Sequence, residues 1–243
     1  MTARLVREEG EIKIWELIGS NDEARLEAML DLYARFFSQY AHYIPRMRRR
    51  AALHAEHRPG HVVHYWLVEV DGKPAAIRMF RYLRTRQCGL AIALAIDPVY
   101  RDVLVAGKRL PVYLVEACLA QVIADAERLG DPPPLGMVNE VEFPRLMDRY
   151  KQYGIMKLPV KYAEPVFPPR QDGGSSAQEL ELVTFLPICL GFLPNPALNG
   201  QAVSNEKVAN FALAFLVDHY GLPVDHPQVR AVLDSIPEFI AGE

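Results

Sequence analysis

The period of apolar positions changes several times along the chain, and each change marks an element. Residues 11–18 (EIKIWELI) are rich in β-branched and large apolar side chains and predict a first strand. Ser20-Asn21-Asp22-Glu23 then supplies an N-cap and an acidic first turn. Leu26, Met29, Leu30, Tyr33, Phe36, Phe37 and Tyr40 follow at i, i+3, i+4, i+7 spacing, which predicts a helix with one face built for burial. Pro45 ends or restarts that helix, and residues 46–50 (RMRRR) open a weaker second one that runs to about His57, before Pro59-Gly60. From His61 the period becomes two. Residues 62–70 (VVHYWLVEV) lead into Asp71-Gly72, with residues 74–83 on the other side, and this is a β-hairpin.

Residues 89–96 (GLAIALAI) form a continuous apolar run ending at Asp97-Pro98, the signature of a strand covered on both faces. A loop follows, then a helix over about residues 108–129, stopped by Asp131 and three prolines, then a strand at 135–141 (LGMVNEV). Strand, long helix and strand make a crossover, so these two strands are expected to be parallel neighbours. A short helix after Phe143-Pro144 ends at Tyr153-Gly154, and residues 155–167 (IMKLPVKYAEPVF) read as one or two strands. The fold class is thus α/β with a mixed sheet.

Residues 168–176 (PPRQDGGSS) have linker composition. The chain is therefore expected to divide into a domain at 1–168, a linker at 169–177 and a C-terminal extension at 178–243. The extension holds a strand-like segment at 179–187 (ELELVTFLP) and two helices, one over about 205–220 and one starting at Asp225. Its apolar faces, Val208, Phe211, Ala212, Phe215 and Leu216 on one helix and Val229, Val232, Leu233 and Ile236 on the other, are too small a core to stand alone. The extension is expected to pack on the rest of the chain, its strand on an open sheet edge, or on a second subunit, which makes a homodimer one expectation.

Composition narrows the function. A net charge of −3 from 27 Lys+Arg against 30 Asp+Glu gives no overall basic field, so nucleic acid is not the expected partner. Three cysteines, Cys88, Cys118 and Cys189, without CxxC spacing suit reduced thiols, and Cys118 reads as a small buried hydrophobe. The charged N-terminus has no apolar core of a signal, and the longest apolar run, 182–193, contains Pro187. A cytoplasmic protein with no membrane partner is expected. His54, His57, His61 and His64, with His42 upstream, invite a metal reading, but Pro59-Gly60 splits the set and no cysteine joins it. Strand alternation puts His64 with Trp66, and no metal site is expected.

The order of elements over residues 11–167 resembles the GNAT superfamily of acyl-CoA N-acyltransferases. The matching residues are Ala95-Ile96-Asp97-Pro98-Val99-Tyr100-Arg101, similar to that family's fourth strand running into its phosphate loop. Asn139 follows on the next strand, with Tyr150-Lys151-Gln152-Tyr153-Gly154-Ile155, close to the family's Tyr-x-x-x-Gly-Phe. The resemblance implies acetyl-CoA or another acyl-CoA as donor, an amine as acceptor, and Tyr150 as the acid that protonates the departing thiolate. It implies a base among Glu140, Glu142 and Asp97, of which Glu140 is taken as the candidate. Cofactor contacts are implied at Ile96, Asp97, Gly107, Lys108, Arg109, Leu110 and Asn139.

The loop departs from the family's Arg/Gln-x-x-Gly-x-Gly/Ala. Over residues 106–111 only Gly107 remains, Arg109 and Pro111 replace the later glycines, and Lys108 and Arg109 add two cations at the helix start. Other readings stay open beside this one. Tyr150 also fits a core position on a short amphipathic helix, and Asn139 a polar group at a strand end. Residues 46–50 fit a solvated helix face or a cationic rim for an acidic acceptor or for an acyl carrier protein. A GNAT-shaped binding or sensing module with little or no turnover is the alternative function, and an acyltransferase that depends on an acyl carrier protein is a third.

Overall fold

The computed structural model describes residues 2–168, 183–198 and 203–237. It divides into two compact units: residues 2–82 with 91–131, and residues 83–90 with 132–168 and the described residues from 183 onward. The expected linker at 169–177 lies outside the described residues.

In the first unit the strands β1 (Arg4–Glu9), β2 (Ile12–Glu16), β3 (His61–Val70), β4 (Lys73–Leu83) and β5 (Cys88–Ile96) lie side by side in that order, β5 belonging to this unit from residue 91. The first of these was not expected, because RLVREE shows no apolar alternation. It is an exposed, charged strand that pairs antiparallel with β2 and bulges between Leu5 and Arg7, a common way of protecting a sheet edge. The turn at Asp71-Gly72 has both residues at positive φ, 51° and 69°, as a two-residue hairpin loop of type I′ requires.

Alternation along β3 and β4 divides the core of this unit. Val63, Tyr65, Leu67, Ile77 and Met79 pack with Met29, Leu30 and Tyr33 of α1 (Glu23–Phe36) and Met47 and Ala51 of α2 (Ile44–Ala51). Opposite residues meet α3 (Leu110–Arg128): the Arg78 Nε–H donates to Cys118 Sγ at 3.1 Å, and His64 meets Asp125. Helix α1 starts on Asp22, whose carboxylate accepts the Arg25 amide, and ends at Phe36, giving way to a 3₁₀ segment, Ser38–Tyr43. Helix α2 stops at Ala51 and not near His57. Only Met47 and Ala51 are buried on it, and the next apolar residue, Leu53, is 45% exposed, so nothing anchors a further turn. Between β5 and α3 lie two more short strands, β6 (Leu104–Val105) and β7 (Lys108–Arg109).

His64 is held by two carboxylates, Nδ1 to Glu16 at 2.6 Å and Nε2 to Asp125 at 2.8 Å, and Glu16 also accepts the Trp66 indole N–H at 3.1 Å. Burial opposes a charge on the imidazole, but the hydrogen bonds to Asp125 and Glu16 outweigh it and push His64 up to about 9.

In the second unit the start of β5 neighbours β8 (Gly136–Val141), which pairs antiparallel with β11 (Thr184–Pro194), which pairs antiparallel with β10 (Tyr162–Val166). The two-residue β9 (Met156–Lys157) also joins β11. The C-terminal strand therefore fills the middle of this sheet, where an edge position was expected. It runs on to Pro194 because Ile188, Leu190 and Phe192 are buried under the C-terminal helices α5 (Asn205–Leu213), extended by a π-helical turn at Ala214–His219, and α6 (Pro227–Asp234). Gly191 and Asn139, paired across the strands, face the other way, under α4 (Pro144–Lys151). A side chain at Gly191 would press on Ile155 and on Met147 of α4. No described helix is long and apolar enough to cross a membrane.

Candidate functional site

The residues that sequence singled out fall into one group in each unit. In the first unit, β5 ends at Ile96, whose carbonyl accepts the Arg101 Nε–H at 3.3 Å. Asp97 caps the short 3₁₀ turn Pro98–Tyr100 by accepting the Val99 amide, its other oxygen pairs with Arg35 of α1 at 2.6 Å, and its amide donates to the Ala75 carbonyl. The Asp97 carboxylate is thus committed.

The loop beyond is a β-hairpin. Leu104 pairs with Arg109 and Val105 with Lys108, so Ala106 and Gly107, at φ 47° and 77°, form a two-residue turn at its tip. Gly107 therefore serves the turn and is not at the helix start. The Leu110 amide donates to the Val103 carbonyl at 2.9 Å, and Pro111 has no amide, so the first turn of α3 keeps little of the N–H array that makes a helix start an anion cradle. Charge remains. Lys108 pairs with Glu116 at 2.5 Å and Arg109 with Asp102 at 3.4 Å, and all four side chains are about half exposed or more. Exposed pairs of this kind are worth little and exchange readily for a better anion. The residues at this helix start fit a coenzyme A pyrophosphate through their cations, and not through a cradle of amides.

In the second unit Asn139 is 6% exposed, and its side-chain N–H donates to the Met137 carbonyl. It shares a sheet face with Gly191, which α4 covers through Met147. Tyr150 lies on α4 one turn after Met147, half-buried, with the Tyr153 ring centroid at 6.1 Å. Its carbonyl accepts the amides of Tyr153 and Ile155 and closes the helix. The start of α4 borders an open depression lined by Phe143, Arg145, Leu146 and Arg149.

Glu140 points the other way. It pairs with Leu190, a residue of the core under the C-terminal helices, so it and Tyr150 lie on opposite faces of β8 and do not share a site. Its carboxylate accepts the Tyr162 hydroxyl at 2.5 Å and the Tyr220 hydroxyl at 2.7 Å, and the Tyr220 oxygen is also 3.2 Å from Glu164. Burial and the nearby Glu164 carboxylate push Glu140 up to about 8, against the two phenol hydrogen bonds. Both phenols are pushed well above their usual range, first by burial and then by Glu140. Burial and the second carboxylate thus favour the protonated form of the Glu140 carboxyl. Of the members of this cluster, sequence reasoning named only Glu140; the signal for the others was the alternation that puts Tyr162 and Glu164 on one face of β10. Glu142, at the end of β8, is half-buried, and burial raises its carboxyl.

No protein-family model matches the chain, and no curated protein matches it. Solved structures give a weak likeness. One is an apo crystal form of RimL, a ribosomal L7/L12 alpha-N-protein acetyltransferase, at 9% identity and a TM-score of 0.48, over 80% of this chain and 96% of that one. The same protein in complex with coenzyme A matches at 10% identity and a TM-score of 0.47, over 80% and 99%. An acetyl transferase from Salmonella typhimurium that modifies the N-terminal serine of ribosomal protein L7/L12 matches at 9% identity and 0.45, over 78% and 97%. Likeness at this level assigns neither an activity nor a substrate to the chain.

Proposed function

We propose that this chain is an N-acyltransferase that moves an acetyl or longer acyl group from a coenzyme A thioester to an amine, with a small-molecule amine as the acceptor and the cytoplasm as its place of action. The observation that supports this best lies in the second unit. Tyr150 is carried by the short helix after β8, which lies over the sheet face of Asn139 through Met147, the region where the resemblance expects an acid for a departing thiolate. In the first unit, Lys108 and Arg109 would meet the pyrophosphate and the backbone at Ile96 and Asp97 the pantetheine arm. The amine nitrogen attacks the thioester carbonyl, the C–S bond breaks, and the sulfur takes the Tyr150 proton. Glu140 faces away, Glu142 lies near enough to act on the Glu140 carboxyl, and Asp97 is paired with Arg35, so water is left to receive the amine's proton.

A second reading has support of its own. The engaged Leu110 amide and Pro111 weaken the phosphate site, which favours a module that binds a thioester without turning it over, or that takes its acyl chain from a carrier protein. Thermal unfolding with acetyl-CoA, longer acyl-CoA and free CoA, followed by thiol release with a panel of amines, separates the three. Ligand at a hundredfold excess over Kd adds about 2.7 kcal/mol to stability, a readable rise in Tm. Lys108→Ala with Arg109→Ala weakens that rise. Tyr150→Phe keeps the Tm and lowers turnover on the order of a hundredfold. Stabilisation without thiol release supports the module, and no stabilisation at millimolar CoA or acyl-CoA overturns coenzyme A binding altogether.

A further inference from the structure

The first unit gathers cations on the face of β3 and β4 that α1 and α2 cover. Alternation turns His61 to this face with Val63 and Tyr65, and Arg81 with Ile77 and Met79. Arg81 is 2% exposed and His61 7%. Helix α2 carries Arg46 and Arg50, and the turn before β3 carries His57 and Arg58. Among the described residues, no carboxylate lies within ion-pair distance of Arg46, Arg50, Arg58 or Arg81. Arg81 Nε and His61 Nδ1 are buried without a hydrogen-bond partner.

That arrangement is costly as it stands. A buried guanidinium without a counter-charge is among the least favourable groups a core can hold, and here three more guanidiniums surround it. Burial and then Arg50 push Arg81 down to about 9, and burial and then Arg58 push His61 down to about 3. The imidazole is therefore neutral and can offer its Nδ1 as a donor. The cations also run from outside to inside: Arg46 and Arg58 are exposed, Arg50 is half-buried, Arg81 is buried. The inner members, Arg81 and His61, are too buried to meet the surface of a protein or a nucleic acid.

We propose that Arg46, Arg50, Arg58 and Arg81, with His61, form a binding site for a small, multiply charged oxyanion, a phosphate monoester or a di- or tricarboxylate. Guanidinium forks match both chemistries bidentately, and two or more negative charges are needed to balance four cations that have no acidic partner. Arg46 and Arg50 belong to the basic stretch that also fits a rim for an acidic acceptor; the site otherwise uses none of the residues assigned to acyl transfer and does not rest on that reading.

The test uses the full chain, with inorganic phosphate and citrate as probes and chloride at matched ionic strength as the control, read by calorimetric titration and by Tm. We expect saturable binding and a rise in Tm with phosphate or citrate but not with chloride. A preference for phosphate marks a phosphate ester as the occupant, and a preference for citrate marks a polycarboxylate. Arg50→Gln and Arg58→Gln each raise Kd about tenfold or more, the loss of one charge-assisted contact. Arg81→Met removes the anion effect and raises the Tm in anion-free buffer, because it deletes an unpaired buried charge; should that variant not fold, the Arg50 and Arg58 variants decide. Lys108→Ala with Arg109→Ala removes two other exposed cations and keeps the saturable binding that Arg50 and Arg58 support. Phosphate and citrate acting no better than chloride, parent-like affinity in both Arg50→Gln and Arg58→Gln, or binding lost only in the Lys108/Arg109 variant would each overturn the proposal.

Discussion

Glu140 carries a charge problem that pH exposes. Its carboxyl titrates at about 8 in the fold against an ordinary 4.5, so between those values the folded protein holds a proton that the unfolded chain has released. Stability from this group is complete below about pH 4.5 and is lost as pH rises through about 8. His64 adds to the same trend over a higher window, from 6.5 to about 9, because its two carboxylates favour the protonated ring only in the fold. Glu140→Gln, a neutral mimic of the protonated acid, separates the two. Tm followed from about pH 5 to pH 9 should fall less steeply in the variant up to about pH 8, and fall in parallel with the parent above it. Identical slopes throughout would show that the Glu140, Tyr162, Tyr220 and Glu164 cluster holds no proton. Sequence exposed this residue only halfway. A carboxylate in LGMVNEV draws notice, but its phenol partners lie 22 and 80 positions away; the pairing of β8, β11 and β10 brings in Tyr162, and the helical turn packed on those strands brings in Tyr220.

At the scale of elements, the hairpin of β6 and β7 shows where local chemistry misleads. Its turn puts Ala106 at φ 47°, a left-handed conformation that disfavours a Cβ by about 1–2 kcal/mol. Asn tolerates it better, and Asn-Gly is the preferred pair for this turn. Ala106→Asn should therefore stabilise the protein by about 0.5–1 kcal/mol, read as a higher urea midpoint at unchanged m. A lower midpoint would mean that the loop is not held as this turn. The contrast with Asp71-Gly72 explains what was legible. That turn announces itself by residue type and joins two long alternating runs, whereas Ala106-Gly107 joins strands of two residues each, with no pattern to read. The same reasoning covers β1, too charged to show a period, and α2, whose basic stretch outlasts its apolar anchor. The buried strands and the long α3 were legible because burial of large apolar side chains decides them. Helix α3 still starts two residues later than its pattern suggests, because Lys108 and Arg109 are drawn into the hairpin. The Arg81 site was hidden for the opposite reason: an arginine inside an apolar strand is a visible anomaly, but the other cations come from separate elements.

Across the whole molecule, the arrangement of the second unit makes residues after 168 indispensable to those before it. Strand β11 supplies the ladder partner of six residues of β8 on one side and five of β10 on the other. Phe211, Phe215, Leu216, Val229 and Val232 complete the core over Val138, Tyr162, Leu190 and Phe192. Cutting the chain after residue 168 would leave the facing edges of β8 and β10 unpaired and uncover that apolar face, the two conditions under which strands recruit other chains. It would also free Tyr162 and Glu140 from Tyr220. We expect the truncated protein to aggregate or, where it stays in solution, to unfold with a markedly smaller calorimetric enthalpy and to bind a hydrophobic dye that the full chain excludes. The Arg81 site belongs to the first unit, which this cut leaves with all its described residues. Phosphate or citrate binding should therefore survive in any soluble fraction. A truncated chain that stays monomeric, excludes dye and keeps the full unfolding enthalpy would show that β11 and the helices after it are an appendage and not the middle of the second core.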